Sequence, residues 1–381
     1  MTRMQWRTTL TAAAVLGALT AGVAQAEPLK DTLAPAWDVL SNKGEGYDLS
    51  DSILGADSPY DFGGWVAVGY TSEKTGQFNS HNNLNVTQAW LYFEKAMDTT
   101  EGFDWGFRTD LMVGTDAADT QAFGNTPGKW DYDGNASWGK YGFANPQIYG
   151  ELGYKNVKVK AGHFYTPMGY ESVMAPLNFF YSHALTMYFS EAFTHTGVLA
   201  TYAPMDGLEV YGGWTAGWDT AFDQYSGGNS FLGGFSATPV DWAKITYITT
   251  AGDLGWIGRG YAHSLIADTT ITEKLNYVFQ TDYLNVHEKG ADLATVDITN
   301  MLFYQVTDKV KVGGRFEWYC NSDTDYYVAT AGVNLQLLPN LKVRPEYRYQ
   351  FSQEVENNPL AASIPIPTDQ GAFAFDAILD F

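Results

Sequence analysis

From residue 60 to residue 381 the chain is written in short runs that alternate apolar and polar positions. In residues 341–351 the odd positions are Leu341, Val343, Pro345, Tyr347, Tyr349 and Phe351, and the even ones are Lys342, Arg344, Glu346, Arg348 and Gln350. In 310–319 an apolar set of Val310, Val312, Phe316 and Trp318 opposes Lys311, Arg315 and Glu317. In 103–113 Phe103, Trp105, Phe107, Leu111 and Val113 oppose Asp104, Arg108 and Asp110. The last residues read Phe373, Phe375, Ala377, Leu379, Phe381 on one side and Ala372, Ala374, Asp376, Ile378, Asp380 on the other. A period of two means an extended strand, because successive side chains point to opposite faces.

Sixteen such segments can be counted: 60–71, 85–95, 103–113, 146–154, 156–165, 197–203, 208–218, 230–238, 242–251, 261–271, 275–286, 294–306, 310–319, 326–337, 341–351 and 371–381. Two of them, 197–203 and 261–271, alternate poorly and their faces stay unassigned. The connections also alternate. Short turns rich in Pro, Asp, Asn and Gly take turns with generally longer loops, among them 114–145, 166–196 and 352–370. Arg, Lys and Glu on one face of so many strands cannot fill a dry core, since burying unpaired charge costs several kcal/mol or more. That face must be wet, and the other, ending in Tyr, Trp and Phe, suits lipid and its aromatic girdles. The predicted fold is all-β: a transmembrane antiparallel β-barrel of about sixteen strands with an inward-folded loop, both ends on the periplasmic side. A terminal strand closing on an aromatic resembles the last strand of bacterial outer-membrane barrels. There it serves as an assembly signal, so Phe381 is expected to engage the barrel-assembly machinery.

Composition sharpens this picture. Arg3 and Arg7 precede an Ala/Leu-rich stretch that ends in Ala24-Gln25-Ala26. Residues 1–26 are therefore expected to be a cleaved export signal, with 27–59 a mobile periplasmic lead-in and 60–381 the barrel. No run of eighteen apolar residues follows, so no transmembrane helix is expected. Aromatics make up 15% and charged residues 17% of the chain, and the formal net charge is −21. The acidic balance argues against nucleic acid. A single cysteine, Cys320, permits no intrachain disulfide framework.

Residues 59–72 (PYDFGGWVAVGYTS), 85–95 (NVTQAWLYFEK) and above all 160–202 (KAGHFYTPMGYESVMAPLNFFYSHALTMYFSEAFTHTGVLATY) resemble the OmpL-like β-barrel porins of Gram-negative bacteria. The similarity is most specific around 162–169 and 179–197. It implies an outer-membrane channel that passes small hydrophilic solutes and ions, without catalytic residues or cofactors.

The candidate chemistry lies inside the barrel. The predicted wall carries Arg108, Lys158, Lys160, Arg315, Arg344 and Arg348 against Asp110, Glu151, Asp282, Glu317, Glu346 and Asp376. Such walls set ion preference, and the near balance of signs predicts at most a mild preference for cations. Residues 166–196 are too apolar for an exposed loop (Met168, Phe179, Phe180, Leu185, Phe189, Phe193). They are expected to fold into the mouth and narrow it, with Glu171, Ser182, His183, Glu191 and His195 lining or anchoring the constriction. Three rival functions remain open. Trp130, Tyr132, Trp138 and Tyr141 could stack on sugar rings in an oligosaccharide-specific channel. Ser182, His183 and Glu191 could form a hydrolase set, and His183 with His195 could touch a metal, although no motif with defined spacing supports either. A closed barrel could serve as an adhesin. Fold-level analogy with porins of this size suggests a homotrimer.

Overall fold

The computed structural model describes residues 46–75, 77, 80–133, 139–222, 227–288, 291–322, 324–352 and 369–381. Sixteen strands follow one another: β1 (Asp61–Thr71), β2 (Asn85–Lys95), β3 (Phe103–Gly114), β4 (Gly142–Tyr154), β5 (Val157–Tyr165), β6 (Thr194–Met205), β7 (Leu208–Trp218) and β8 (Asn229–Val240). They continue with β9 (Ala243–Asp253), β10 (Arg259–Thr272), β11 (Leu275–Glu288), β12 (Ala291–Thr307), β13 (Val310–Asn321), β14 (Thr324–Leu338), β15 (Leu341–Ser352) and β16 (Gln370–Asp380). Each strand pairs with its sequence neighbour and β1 pairs with β16, so the sheet closes. The seam runs antiparallel from Trp65↔Asp380 to Thr71↔Ala374. Gly64 and Phe381 complete it by exchanging two backbone hydrogen bonds of 2.9 Å. Closure leaves no unpaired edge, which hydrocarbon would penalise. Among the described residues no helix is long and apolar enough to cross a membrane.

Burial along the strands is inverted relative to a soluble protein. On β15 and β16, Tyr347, Phe373 and Leu379 are about half exposed, whereas Arg344, Arg348 and Asp376 are buried. The apolar face therefore points out to lipid and the charged face points inward, as the alternation predicted. The two irregular strands have physical reasons. In β6, Leu199 points inward and joins an inner apolar cluster with Phe164, Trp218, Leu232 and Ile248. In β10, His263 points outward, where the Tyr247 hydroxyl reaches its Nδ1 at 2.7 Å.

The loops are less regular than the sequence suggested. The turn end carries only short connections, such as 155–156 and 339–340. At the other end, 72–84, 115–141 and 166–193 are long, but 254–258, 289–290 and 322–323 are as short as the turns. The long connections thus gather around one side of the mouth. Of the lead-in, residues 46–59 are described. Its helix α1 (Leu49–Leu54) is capped by Asp48, and the Asn340 side chain accepts from Tyr47 N–H and donates to Tyr47 O. This piece sits on the turn-end rim; residues 1–45, including the expected signal segment, lie outside the described residues.

Candidate functional site: the loop folded into the barrel

The loop between β5 and β6, residues 166–193, enters the hollow and is tied to the wall on its far side. An inward loop carries its backbone groups away from water, so each must find a partner. The wall supplies them. Glu346 accepts from Tyr181 N–H at 2.8 Å and Ser182 N–H at 3.1 Å. Glu317 accepts from Leu185 N–H at 2.7 Å, the first residue of the short helix α2 (Leu185–Phe189). Gln280 and Ser264 accept from Tyr170 N–H and Gly169 N–H. Gln88, on β2, donates to Val173 O and accepts from Ala175 N–H.

Three guanidinium groups take the loop carbonyls. Arg315 donates to Ser182 O (2.8 Å) and His183 O (2.9 Å), and pairs with Glu317 and Glu171. Arg344 donates to Ala175 O (2.9 Å) and Asn178 O (2.6 Å) while pairing with Asp376. Arg348 donates to His183 O at 2.8 Å and lies 3.4 Å from Glu317. The loop thereby reaches β2, β10, β11, β13 and β15 from its roots on β5 and β6, so it spans the hollow. Apolar packing completes the fit: Phe180 meets Ile266, Val278, Met301 and Phe303, and Leu185 meets Tyr319, Tyr326 and Val328.

Two carboxyl groups of the loop have displaced protonation. Burial pushes Glu171 up, but Arg315, His183 and the Ala184 N–H outweigh it and hold the carboxylate at about 2. Glu191 goes the other way. Burial, then the charges of Asp282 and Asp297, keep its carboxyl well above the usual range, although Gln280 donates to it at 2.6 Å. Gly169 makes room for it. Its φ is +80°, and a Cβ there would lie 2.0 Å from a Glu191 carboxyl oxygen. Gly169→Val is therefore expected to destabilise the docked loop by roughly 1–3 kcal/mol, measured as faster cleavage of residues 166–193 by added protease.

The sequence of residues 59–381 matches the model of a family described as "Putative beta-barrel porin-2, OmpL-like". The chain belongs to this family. It is an outer-membrane porin, and its barrel is a channel. Among solved structures it is similar to an anion-selective porin from Comamonas acidovorans, with a TM-score of 0.57 and 12% identity over 84% of this chain and 99% of that one. It is also similar to the outer-membrane channel DcaP of Acinetobacter baumannii, with a TM-score of 0.56 and 8% identity over 89% and 100%. The trimer form of OmpT from Vibrio cholerae gives a TM-score of 0.56 and 13% identity over 84% and 99%. These likenesses show the shared fold. No curated protein matches the sequence.

Within this porin the charged residues expected on the wall all face inward, but they divide into two groups. Asp110, Asp282, Arg315, Glu317, Arg344, Glu346, Arg348 and Asp376 are buried, most of them directly beneath the loop. Arg108, Glu151, Lys158 and Lys160 are reached by solvent nearer the turn end. There Arg108 bridges Glu94 (3.0 Å) and Asp110 (2.7 Å), and Lys160 lies 3.3 Å from Glu151. Of the five polar residues expected on the loop, Glu171, Ser182, His183 and Glu191 lie within it, and His195 lies in β6 at its root, 3.0 Å from Thr166 Oγ1.

Among the described residues, the groups of the rival chemistries are engaged with other partners. Arg315 donates to the Ser182 hydroxyl, His183 lies 3.5 Å from Glu171, and Glu191 is held by Gln280. No hydrogen bond joins Ser182, His183 and Glu191 among the described residues. Trp130 packs edge-on against Phe222 at 5.0 Å and Tyr141 lies under Lys140, while Trp138 is outside the described residues. Sequence reasoning missed the neutral anchors Gln88, Gln280, Ser264 and Asn178. An inward Gln or Ser carries no signal that separates it from any other lumen residue.

Proposed function

We propose that this porin passes small hydrophilic solutes and ions by passive diffusion, and that the loop of residues 166–193 sets the width of the passage. The observation that carries this reading is the latch formed by Arg315, Arg344 and Arg348 on the loop carbonyls. A guanidinium fork holding carbonyls on one side and a carboxylate on the other is a rigid, charge-assisted contact, suited to fixing a loop against flow. The buried charges then act as positioning residues, and the solvent-reached charges Arg108, Glu151, Lys158 and Lys160 line the path. Nothing in this mechanism requires a covalent step, and the reading is non-enzymatic. A homotrimer fits the trimer form of the OmpT structure. Export through a cleaved signal at Ala26 would deliver the chain to the outer membrane.

Planar-bilayer recording on the purified protein tests the reading directly. Discrete, voltage-independent steps with a conductance linear in salt are expected, as is swelling of loaded liposomes in small sugars. Tight membranes with no steps would sink it.

A further inference from the structure

The loop and the turn end of the wall bound a half-open cavity of about 300 Å³ whose chemistry differs from the rest of the chain. Although the protein carries a net charge of −21, this cavity is lined by three lysines, Lys309, Lys311 and Lys342, and by one acid, Asp308. Its floor is aromatic: Phe179 from the loop and Phe303 from β12 have ring centroids 4.8 Å apart. The Lys311 ammonium lies over both rings, 5.0 Å from Phe303 and 5.9 Å from Phe179. Lys342 reaches the same space and donates to Pro176 O at 3.2 Å. Among the described residues neither Lys311 nor Lys342 lies within ion-pair distance of a carboxylate.

We propose that this cavity is a subsite for small organic carboxylates with an apolar or aromatic body. The carboxylate sits between Lys311 and Lys342, and the body rests on Phe179 and Phe303. The chemistry is specific to that class. A hydrated inorganic anion gains the lysines but not the rings, an alkylammonium meets like charge, and a neutral sugar gives the two ammonium groups no ion-pair partner. A cavity with an apolar floor and a few convergent polar groups is the usual form of a small-molecule site. The proposal rests on the channel reading in one respect: the subsite lies at the turn-end exit of the hollow, so it would slow and select solutes as they leave. It also runs, for this class of solute, against the mild cation preference expected from the charges of the wall.

Two measurements with benzoate as the probe separate the subsite from the channel. In titration calorimetry on the detergent-solubilised protein, benzoate is expected to bind saturably, with acetate and benzylamine binding far more weakly. Lys311→Met breaks no hydrogen bond to the loop and is expected to weaken benzoate at least about tenfold, the loss of one charge-assisted contact. Lys311→Met with Lys342→Met should abolish binding. In bilayers, benzoate should block the current of the unaltered protein when added from the turn side, and not that of the double variant. Lysine-dependent calorimetric binding without conductance would overturn the channel reading and keep the subsite. Conductance with benzoate binding absent, or unchanged by both lysine variants, would overturn the subsite and keep the channel.

Discussion

Arg344→Met is expected to free the inward loop and raise the conductance of the porin for both ions of the salt. Arg344 is buried and holds Asp376 through Nε at 2.8 Å while donating to Ala175 O and Asn178 O. Removing it strands a carboxylate and two carbonyls. Breaking one partner out of a buried pair typically costs about 3–5 kcal/mol, enough to shift loop docking by roughly two to four orders of magnitude. The barrel should survive, because Arg344 pairs with Asp376 of β16 through backbone groups that the substitution leaves in place. The competing view, in which Arg344 is simply a wall charge, predicts something else: the reversal potential in a salt gradient moves toward cations while conductance and size cut-off stay put. Bilayer recording of both quantities distinguishes them, with liposome swelling in tri- and tetrasaccharides as the readout of width. Adding Asp376→Leu removes the stranded carboxylate, so the double variant should recover part of the docking without recovering the two carbonyl contacts. An unchanged size cut-off in Arg344→Met would show that the loop is held by other means.

That distinction marks the limit of what the amino-acid sequence reveals. The barrel itself was legible because lipid and lumen impose opposite demands on neighbouring residues. Tyr347 must be apolar and Arg348 polar, whatever either one touches, so the face of each can be read from the period alone. Strand ends were less legible. The sheet of β4 begins at Gly142 rather than at 146, and that of β6 at Thr194 rather than at 197. These residues sit at the loop-side rim, where nearby loop segments cover the sheet and the alternation lapses: His163 and Thr196, three residues or fewer from the rim ends of their strands, are buried and joined at 2.8 Å. The loop's entry into the hollow could be inferred, since Met168, Phe179, Phe180 and Leu185 had to escape water. Its docking partners could not. An inward arginine has the same sequence signature whether it faces water or a carbonyl more than a hundred residues away, as Arg315 does with Ser182. Only the closed sheet decides which.

The loop should also answer to pH, with opposite signs from its two displaced carboxyl groups. Glu171 is held at about 2 in the folded protein, below the usual carboxylate value, so the folded form favours its charge. Its contribution to docking is complete above the unfolded value and is lost as the pH falls through about 2. Glu191 is raised, so the folded form favours its proton and binds more protons than the released form. Its contribution is complete in acid and is lost as the pH rises through the raised value. The groups facing Glu191 explain the direction. Asp282 and Asp297 come from the wall and Glu171 from the loop, and all three carry or share negative charge. Ionising Glu191 would place one more charge among them in a space closed to water. Docking is therefore expected to be firmest in mildly acidic solution and to loosen with alkali, and conductance should climb as the pH rises through the raised Glu191 value. Glu191→Gln keeps a hydrogen-bonding side chain beside Gln280 and cannot ionise, so its conductance should stay level through that rise. If instead the variant climbs in parallel with the unaltered protein, the alkaline response belongs to another group and Glu191 is a structural residue only.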